Sequence, residues 1–133
     1  MMLLEIVTPE RLLLSEEVEE VILPGELGQL GILPGHHPLL ASLGIGELIY
    51  RKGGKEHSVF VAGGFVEVLT DRVTVLAGEA QLPSEIDLEE ARAQKEEAEG
   101  ELKGLIPLDP RYEEVLMKLQ KASRKLEIAQ RSS

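Results

Sequence analysis

The sequence predicts an α+β chain: an N-terminal antiparallel β-sandwich of about ten strands, followed by a C-terminal antiparallel two-helix hairpin. Three observations carry this reading. Up to about Pro83, short apolar runs recur at near-regular spacing, broken by Gly, Pro and acidic turns, as in a compact all-β unit. From Ser84 onward Gly and β-branched residues thin out, Leu, Ala, Glu, Lys and Arg take over, and the apolar period changes from two to about 3.6. The chain has 133 residues, about one domain's worth, so the helices are an appendage to a single core. The expected boundary places residues 1–83 in the sandwich and 84–133 in the hairpin.

Taken in order, the expected strands are Leu3 to Thr8, Arg11 to Ser15, Val18 to Leu23, Gln29 to Leu33, Ile45 to Arg51, Ser58 to Ala62, Phe65 to Thr70, Arg72 to Ala77 and Glu79 to Leu82. Lys52-Gly53-Gly54-Lys55 offers the positive φ values that a two-residue hairpin turn needs. Thr70-Asp71-Arg72, between two Val-rich runs, reads as a second tight connection. Gly63-Gly64 interrupts what would otherwise be one long strand, either as a bulge, which is favoured, or as a place where another backbone comes close.

In the helical part, Leu88, Ala91, Lys95, Ala98, Leu102 and Leu105 alternate by three and four, the narrow seam of one helix packed along another. Tyr112, Val115, Leu116, Leu119, Ala122, Leu126 and Ala129 form the matching stripe, and Pro107, Asp109 and Pro110 form the connection. Eight acidic and three basic residues between Ser84 and Gly104 face six basic and three acidic ones between Arg111 and Arg131. Exposed ion pairs add no more than about 1 kcal/mol each. A seam of Ala with a Lys in it buries little area, so a hairpin that is able to open is the expectation.

Composition removes several function classes. The net charge is -10, with 24 acidic against 14 basic residues, which argues against nucleic acid and anionic lipid as partners. No Cys and only three His disfavour a disulfide framework, a thiol nucleophile or a metal cluster. Aromatic residues make up 3% and Trp is absent, so stacking platforms for bases are missing. No apolar run approaches the roughly 18 residues of a membrane span. Met1 to Thr8 lacks the features of a signal peptide, so a soluble, reducing compartment and no membrane insertion are expected.

No catalytic constellation emerges. Gly25 to Gly31 lacks the Gly-Lys-Ser/Thr ending of a phosphate loop and precedes no helix, so its glycines read as turn and bulge positions. His36 and His37 lie in a Pro- and Gly-fixed turn with neither an orienting carboxylate nor a nucleophile beside them in sequence. Ser15 and Ser42 lack a nucleophile-elbow setting. Ser84 to Asp87 fits a capping box, and Asp87 to Glu90 fits one a turn later. Lys121 and Lys125, four apart on the last helix, share a face and suit either a phosphate chain or neutralisation of the acidic first helix.

Glu19-Glu20-Val21-Ile22-Leu23-Pro24, Gly28-Gln29-Leu30-Gly31-Ile32-Leu33-Pro34-Gly35-His36, Pro38-Leu39-Leu40, Gly63-Gly64-Phe65-Val66-Glu67-Val68 and Val73-Thr74-Val75-Leu76-Ala77 occur in order, ahead of an acidic and then a basic helix. In this the whole chain resembles the epsilon subunit of the F-type ATP synthase. The resemblance implies a non-catalytic subunit of the central stalk of a proton-translocating enzyme, peripheral on the cytoplasmic face of a bacterial membrane. Its sandwich would bind the gamma subunit and rest on the polar loops of the c-ring, with Gln29 and His36 in the ring-facing loop. Its helices would lie folded or extend along gamma to the alpha and beta subunits, where Lys118, Lys121, Arg124 and Lys125 would help to block ATP hydrolysis. Phe65, Val66 and Leu39-Leu40 suit either docking on gamma or the core.

Two departures from the family pattern bear on function. Gln29 stands where many members carry Glu, which leaves a neutral hydrogen bond in place of a charge. The nucleotide-binding members' Ile/Leu-Asp-x-x-Arg-Ala motif reads here Ile86-Asp87-Leu88-Glu89-Glu90-Ala91, with an acid in the Arg position. Ile86, Asp87, Ala91, Lys121 and Lys125 therefore make at most a weak ATP site, and no resident cofactor is expected. The alternative function is a nucleotide-sensing module built on those residues.

Overall fold

A computed structural model describes residues 1–132. The elements are β1 (Met2–Val7), β2 (Leu12–Val18), β3 (Glu20–Gly25), β4 (Gly28–Ile32), β5 (Leu39–Ser42), β6 (Ile45–Lys52), β7 (Lys55–Leu69) and β8 (Arg72–Gln81), then a 3-10 turn at Pro83–Glu85, α1 (Leu88–Lys103) and α2 (Tyr112–Ser132). They form two compact units, Met1–Leu82 and a second that begins at Pro83.

In the first unit the strands run in the order β2-β1-β8-β7-β6-β3-β4, and β5 lies on β7. With 15 and 10 residues, β7 and β8 are long enough to serve both layers of a sandwich. The first half of β7 pairs with β6 and its second half pairs with β5, while β8 pairs with it from Phe60 to Leu69. Met2, Leu4, Ile6, Val66, Val68, Val73 and Val75 from one layer meet Val21, Leu23, Ile32, Leu48, Val59 and Val61 from the other in one buried cluster. Each fully buried aliphatic side chain is worth about 1.5–3 kcal/mol, so this cluster holds the unit together.

Eight strands form where about ten were expected. Two expected breaks are absent, because Ser58 to Thr70 is carried by β7 and Arg72 to Leu82 largely by β8. The bulge expected at Gly63-Gly64 is also absent: Ala62 faces Glu79 and Gly64 faces Ala77, so the register does not slip. Instead the strand turns a corner. Val59 and Val61 point inward before the glycines and Val66 and Val68 after them, and β8 changes phase in step, from Val73, Val75 and Ala77 to Ala80 and Leu82. Gly63 and Gly64 supply φ values of 70° and 98°, and a Cβ on Gly64 would run into the Leu76 carbonyl oxygen. The close approach of a second backbone is what this glycine serves.

Three further differences come from pairing. The short strand β5 was not expected, since Leu39–Ser42 carries little local signal and is extended by its distant partner in β7. β2 continues past Ser15 through Glu16, Glu17 and Val18 because β1 supplies partners for them. β1 and β8 pair in parallel, so the sandwich is not wholly antiparallel. The Gly53-Gly54 hairpin forms as expected, with φ values of 60° and 74° between the paired Lys52 and Lys55. Its tip is tied back by the Lys52–Glu16 ion pair and by the Gly54 N–H donating to Glu19 at 3.2 Å.

In the second unit α2 runs back along α1 and also packs against the 3-10 turn. Every position of the expected α1 seam is buried or half-buried, including Lys95. The fully enclosed side chains there are only Ala91 and Ala98. On α2, Val115, Ala122, Ile128 and Ala129 are buried. The connection is stiff: Pro107 and Pro110 limit φ, and the Asp109 carboxylate accepts from the Arg111 backbone N–H at 2.9 Å, its Nε at 3.2 Å and its Nη2 at 3.0 Å. Those side-chain and backbone hydrogen bonds hold the Asp109 carboxyl below its ordinary range.

Candidate functional site

Three surfaces hold the residues singled out in the sequence. The first is the end of the sandwich that carries the β3–β4 hairpin. Gln29 is exposed on β4 opposite Pro24, and it lines an open groove of about 500 Å³ with Glu26, Leu27, Leu40 and Ser42. Leu27, at the tip, is wholly exposed.

His36 follows β4 on a turn that the sequence builds completely. Pro34 at the second position and Gly35 at the third, with φ 86°, give the turn its type, and the His36 N–H closes it on the Leu33 carbonyl at 3.1 Å. The Gly35 N–H donates to the Thr70 carbonyl at 2.9 Å, which ties this loop to the β7–β8 turn. The imidazole Nδ1 lies 2.6 Å from the His37 carbonyl oxygen. A carbonyl only accepts, so Nδ1 carries the proton and Nε2 is left as the other polar atom of the ring. Gln29 and His36 are thus held by different elements, the first by its pairing with β3 and the second by the β7–β8 turn.

The second surface is the hairpin. Asp87 caps α1, its carboxylate accepting from the Glu90 N–H at 3.1 Å, so the later of the two capping positions is the one used. Glu90 turns to Gln94, whose Nε2 lies 3.3 Å away. Ile86 and Ala91 are buried, and packing accounts for both. On α2, Lys118 meets Glu114 at 3.8 Å, and Arg124 holds Glu127 through contacts of 2.6 and 2.7 Å. Lys121 and Lys125 are half-buried on the same helix.

The third surface is the outer face of the layer β2-β1-β8-β7-β5. Cross-strand register sets Leu12, Val7, Leu76, Phe65 and Ser42 side by side in one line across five strands. Leu12, Leu76 and Phe65 are 56%, 51% and 54% exposed, far above what a core side chain shows. The next line, Ser15, Glu5, Thr74, Glu67 and Leu40, borders this apolar strip with carboxylates. Of the residues that sequence left between docking and core, Phe65 and Leu40 are exposed, whereas Val66 is fully buried and Leu39 packs on the core. Leu12 and Leu76 were missed. The signal for Leu76 was its phase: it is apolar between Val75 and Ala77, which point inward.

Residues 1–83 match the family model of the ATP synthase Delta/Epsilon chain beta-sandwich domain. The chain belongs to the ATP synthase epsilon chain family. It is 46% identical over 128 residues to ATP synthase epsilon chain 2 of Syntrophotalea carbinolica, covering 96% of this chain and 93% of that one. It is 45% identical over 129 residues to the epsilon chain of Geobacter metallireducens, covering 97% and 94%. Among solved structures, a chain in the Euglena gracilis mitochondrial ATP synthase, determined with its c-ring in one rotational state, superposes with a TM-score of 0.81 at 26% identity, over 97% of this chain and 81% of that one. As an epsilon chain this protein is a non-catalytic subunit of its complex. Among the described residues no helix is long and apolar enough to cross a membrane, and no group of three or more His, Asp or Glu side chains is placed to hold a metal ion.

Proposed function

We propose that this epsilon chain is a rotor subunit of a proton-translocating ATP synthase, on the cytoplasmic face of a bacterial membrane, which joins the gamma subunit to the c-ring and restrains ATP hydrolysis with its helices. The observation that carries the gamma contact is the exposed line Leu12, Val7, Leu76, Phe65 on a sheet face bordered by Glu5 and Glu67. Apolar side chains on adjacent strands, at the centre of a rimmed patch, are what a stable protein interface buries. Gln29, beside the groove, and His36, on the loop tied to the β7–β8 turn, are the ring-facing residues in this reading.

The helices restrain hydrolysis in this proposal by leaving a hairpin in which α1 encloses only alanines and taking up contacts with the alpha and beta subunits. Only such differential contacts shift the equilibrium between the two arrangements. Lys118, Lys121, Arg124 and Lys125 supply the positive face, so inhibition weakens as salt rises. Nucleotide sensing is the weaker reading. The Asp87 carboxylate already caps α1, Ile86 and Ala91 are packed inside, and Glu90 sits where a triphosphate would need a cation.

The test is the ATP hydrolysis rate of the cognate catalytic head with gamma, measured with the full chain, with a chain ending at Leu82, and with Phe65→Ser/Leu76→Ser. The full chain binds and slows hydrolysis, the shortened chain binds without slowing it, and the double variant fails to bind while keeping its fold. Binding of the double variant at full strength overturns the docking face. Equal inhibition by the shortened chain overturns the role of the helices.

A further inference from the structure

We infer that Glu67 is the specificity-determining carboxylate of the exposed apolar line, and that the surface which docks there is a protein face carrying a guanidinium or ammonium group opposite Glu67, beside an apolar ridge. The inference rests on the proposed use of this face for docking on gamma, and it names the chemistry that the docking surface must carry.

Register places the carboxylate among apolar neighbours. Glu67 is exposed on β7 between Phe65 and Leu69 of the same face, with Thr74 of β8 on one side and Leu40 of β5 on the other. Phe65, Leu69 and Leu40 are exposed, as is Leu76, which lies across from Phe65. Arg72 of β8 is diagonal to both Glu5 and Glu67, within reach of a long side chain. It meets Glu5, at 3.9 Å. Among the described residues no side chain pairs with the Glu67 carboxylate, so one of the two acids on this line is answered within the chain and the other is left for a partner.

Burial decides what that partner is. Covering Phe65, Leu76, Leu40 and Leu69 also takes water from Glu67, and a charge removed from water without a counter-charge is strongly unfavourable. A stable complex therefore has to bring a cation to Glu67, and complementary charge of this kind selects a partner and speeds its approach. Anionic lipid and nucleic acid have the wrong sign, because Glu5, Glu17, Glu67 and Asp71 outnumber Arg72 on this face and its edge. A second copy packed on the same face by a two-fold axis would set a mainly acidic surface against itself. A different protein remains, basic opposite Glu67 and apolar opposite Phe65 and Leu76.

The experiment measures the affinity of the full chain for the cognate catalytic head with gamma, at low salt and at about 0.5 M salt. It compares the unaltered chain with Glu67→Gln, Glu67→Lys, Arg72→Gln, Glu56→Lys and Phe65→Ser/Leu76→Ser, each checked for an unaltered fold by circular dichroism. At low salt Glu67→Gln binds about tenfold more weakly and Glu67→Lys about a hundredfold. The difference between Glu67 and Gln shrinks as salt rises. Arg72→Gln binds more tightly, since it leaves Glu5 as a second free carboxylate. Glu56→Lys, which makes the same change of charge at the far end of β7, binds as the unaltered chain does. Full-strength binding by Glu67→Lys, while the double serine variant fails to bind, overturns the inference and leaves the docking face standing. Equal weakening by Glu56→Lys overturns it in favour of the chain's overall charge, and self-association of the unaltered chain that Glu67→Lys abolishes overturns it in favour of a second copy. Full-strength binding by the double serine variant overturns the docking face itself.

Discussion

The sandwich and the hairpin are built on opposite principles. The sandwich encloses long aliphatic side chains such as Leu4, Leu23 and Leu48 between two layers, and its strands are paired with partners far away in sequence. The hairpin is local, and α1 encloses only Ala91 and Ala98. Each buried methylene-sized group is worth about 0.8 kcal/mol, so the alanines of α1 contribute less apiece than the leucines of the sandwich. The difference teaches where burial resides in one chain: long aliphatic side chains enclosed by distant strands in the sandwich, and smaller ones enclosed locally along α1.

One glycine breaks this comparison most sharply. Gly64→Val puts a side chain into the Leu76 carbonyl at a φ of 98°, and it is expected to destabilise the sandwich by about 3 kcal/mol or more in chemical denaturation. Leu4→Ala follows, at about 3 kcal/mol in the same measurement, because Leu4 is fully buried in the cluster. In the hairpin the effects are smaller and differ in sign. Asp87→Ala removes the cap of α1 and costs about 1 kcal/mol, read as faster hydrogen exchange in the first turns of that helix. Gly100→Ala, where an added Cβ meets open space in mid-helix, stabilises the hairpin by just under about 1 kcal/mol in the same experiment.

The smallest effect concerns the connection. The folded state holds the Asp109 carboxyl below its ordinary range, so the Arg111 contacts contribute stability above that range and lose it as pH falls through the depressed value. Asp109→Asn is therefore expected to lower the hairpin's stability slightly near neutral pH, where the unaltered chain has these contacts, and to make no difference at the acid end, read from thermal melts followed by circular dichroism. A large change at neutral pH would show that the turn, and not the seam, holds the helices together.

Much of this fold was legible in the residues. The apolar positions of α1 were read correctly down to Lys95, because helix periodicity is a local property. The Gly53-Gly54 hairpin was legible because few residues other than Gly take positive φ at two successive positions. The sheet was less so. That β5 is a strand, that Glu16 and Glu17 are extended, and that β1 runs parallel to β8 depend on partners many residues away. The candidate site divides along the same line. Gln29, His36 and Asp87 were singled out from motifs, while the exposed apolar line was only half seen: Phe65 was named, but Leu12 and Leu76 were not.

By itself, the sequence determined the change of period near Ser84, the acidic and basic helices, the caps and tight turns, and membership of the family, since each follows from residues close together along the chain. Only the tertiary structure decided which apolar residues are core and which are surface. Val66 and Phe65 are neighbours with similar propensities, and the corner at Gly63-Gly64 turns one inward and leaves the other exposed beside Leu76. The physical reason is that burial in a sheet is set by register and phase across strands, and long-range pairing fixes both.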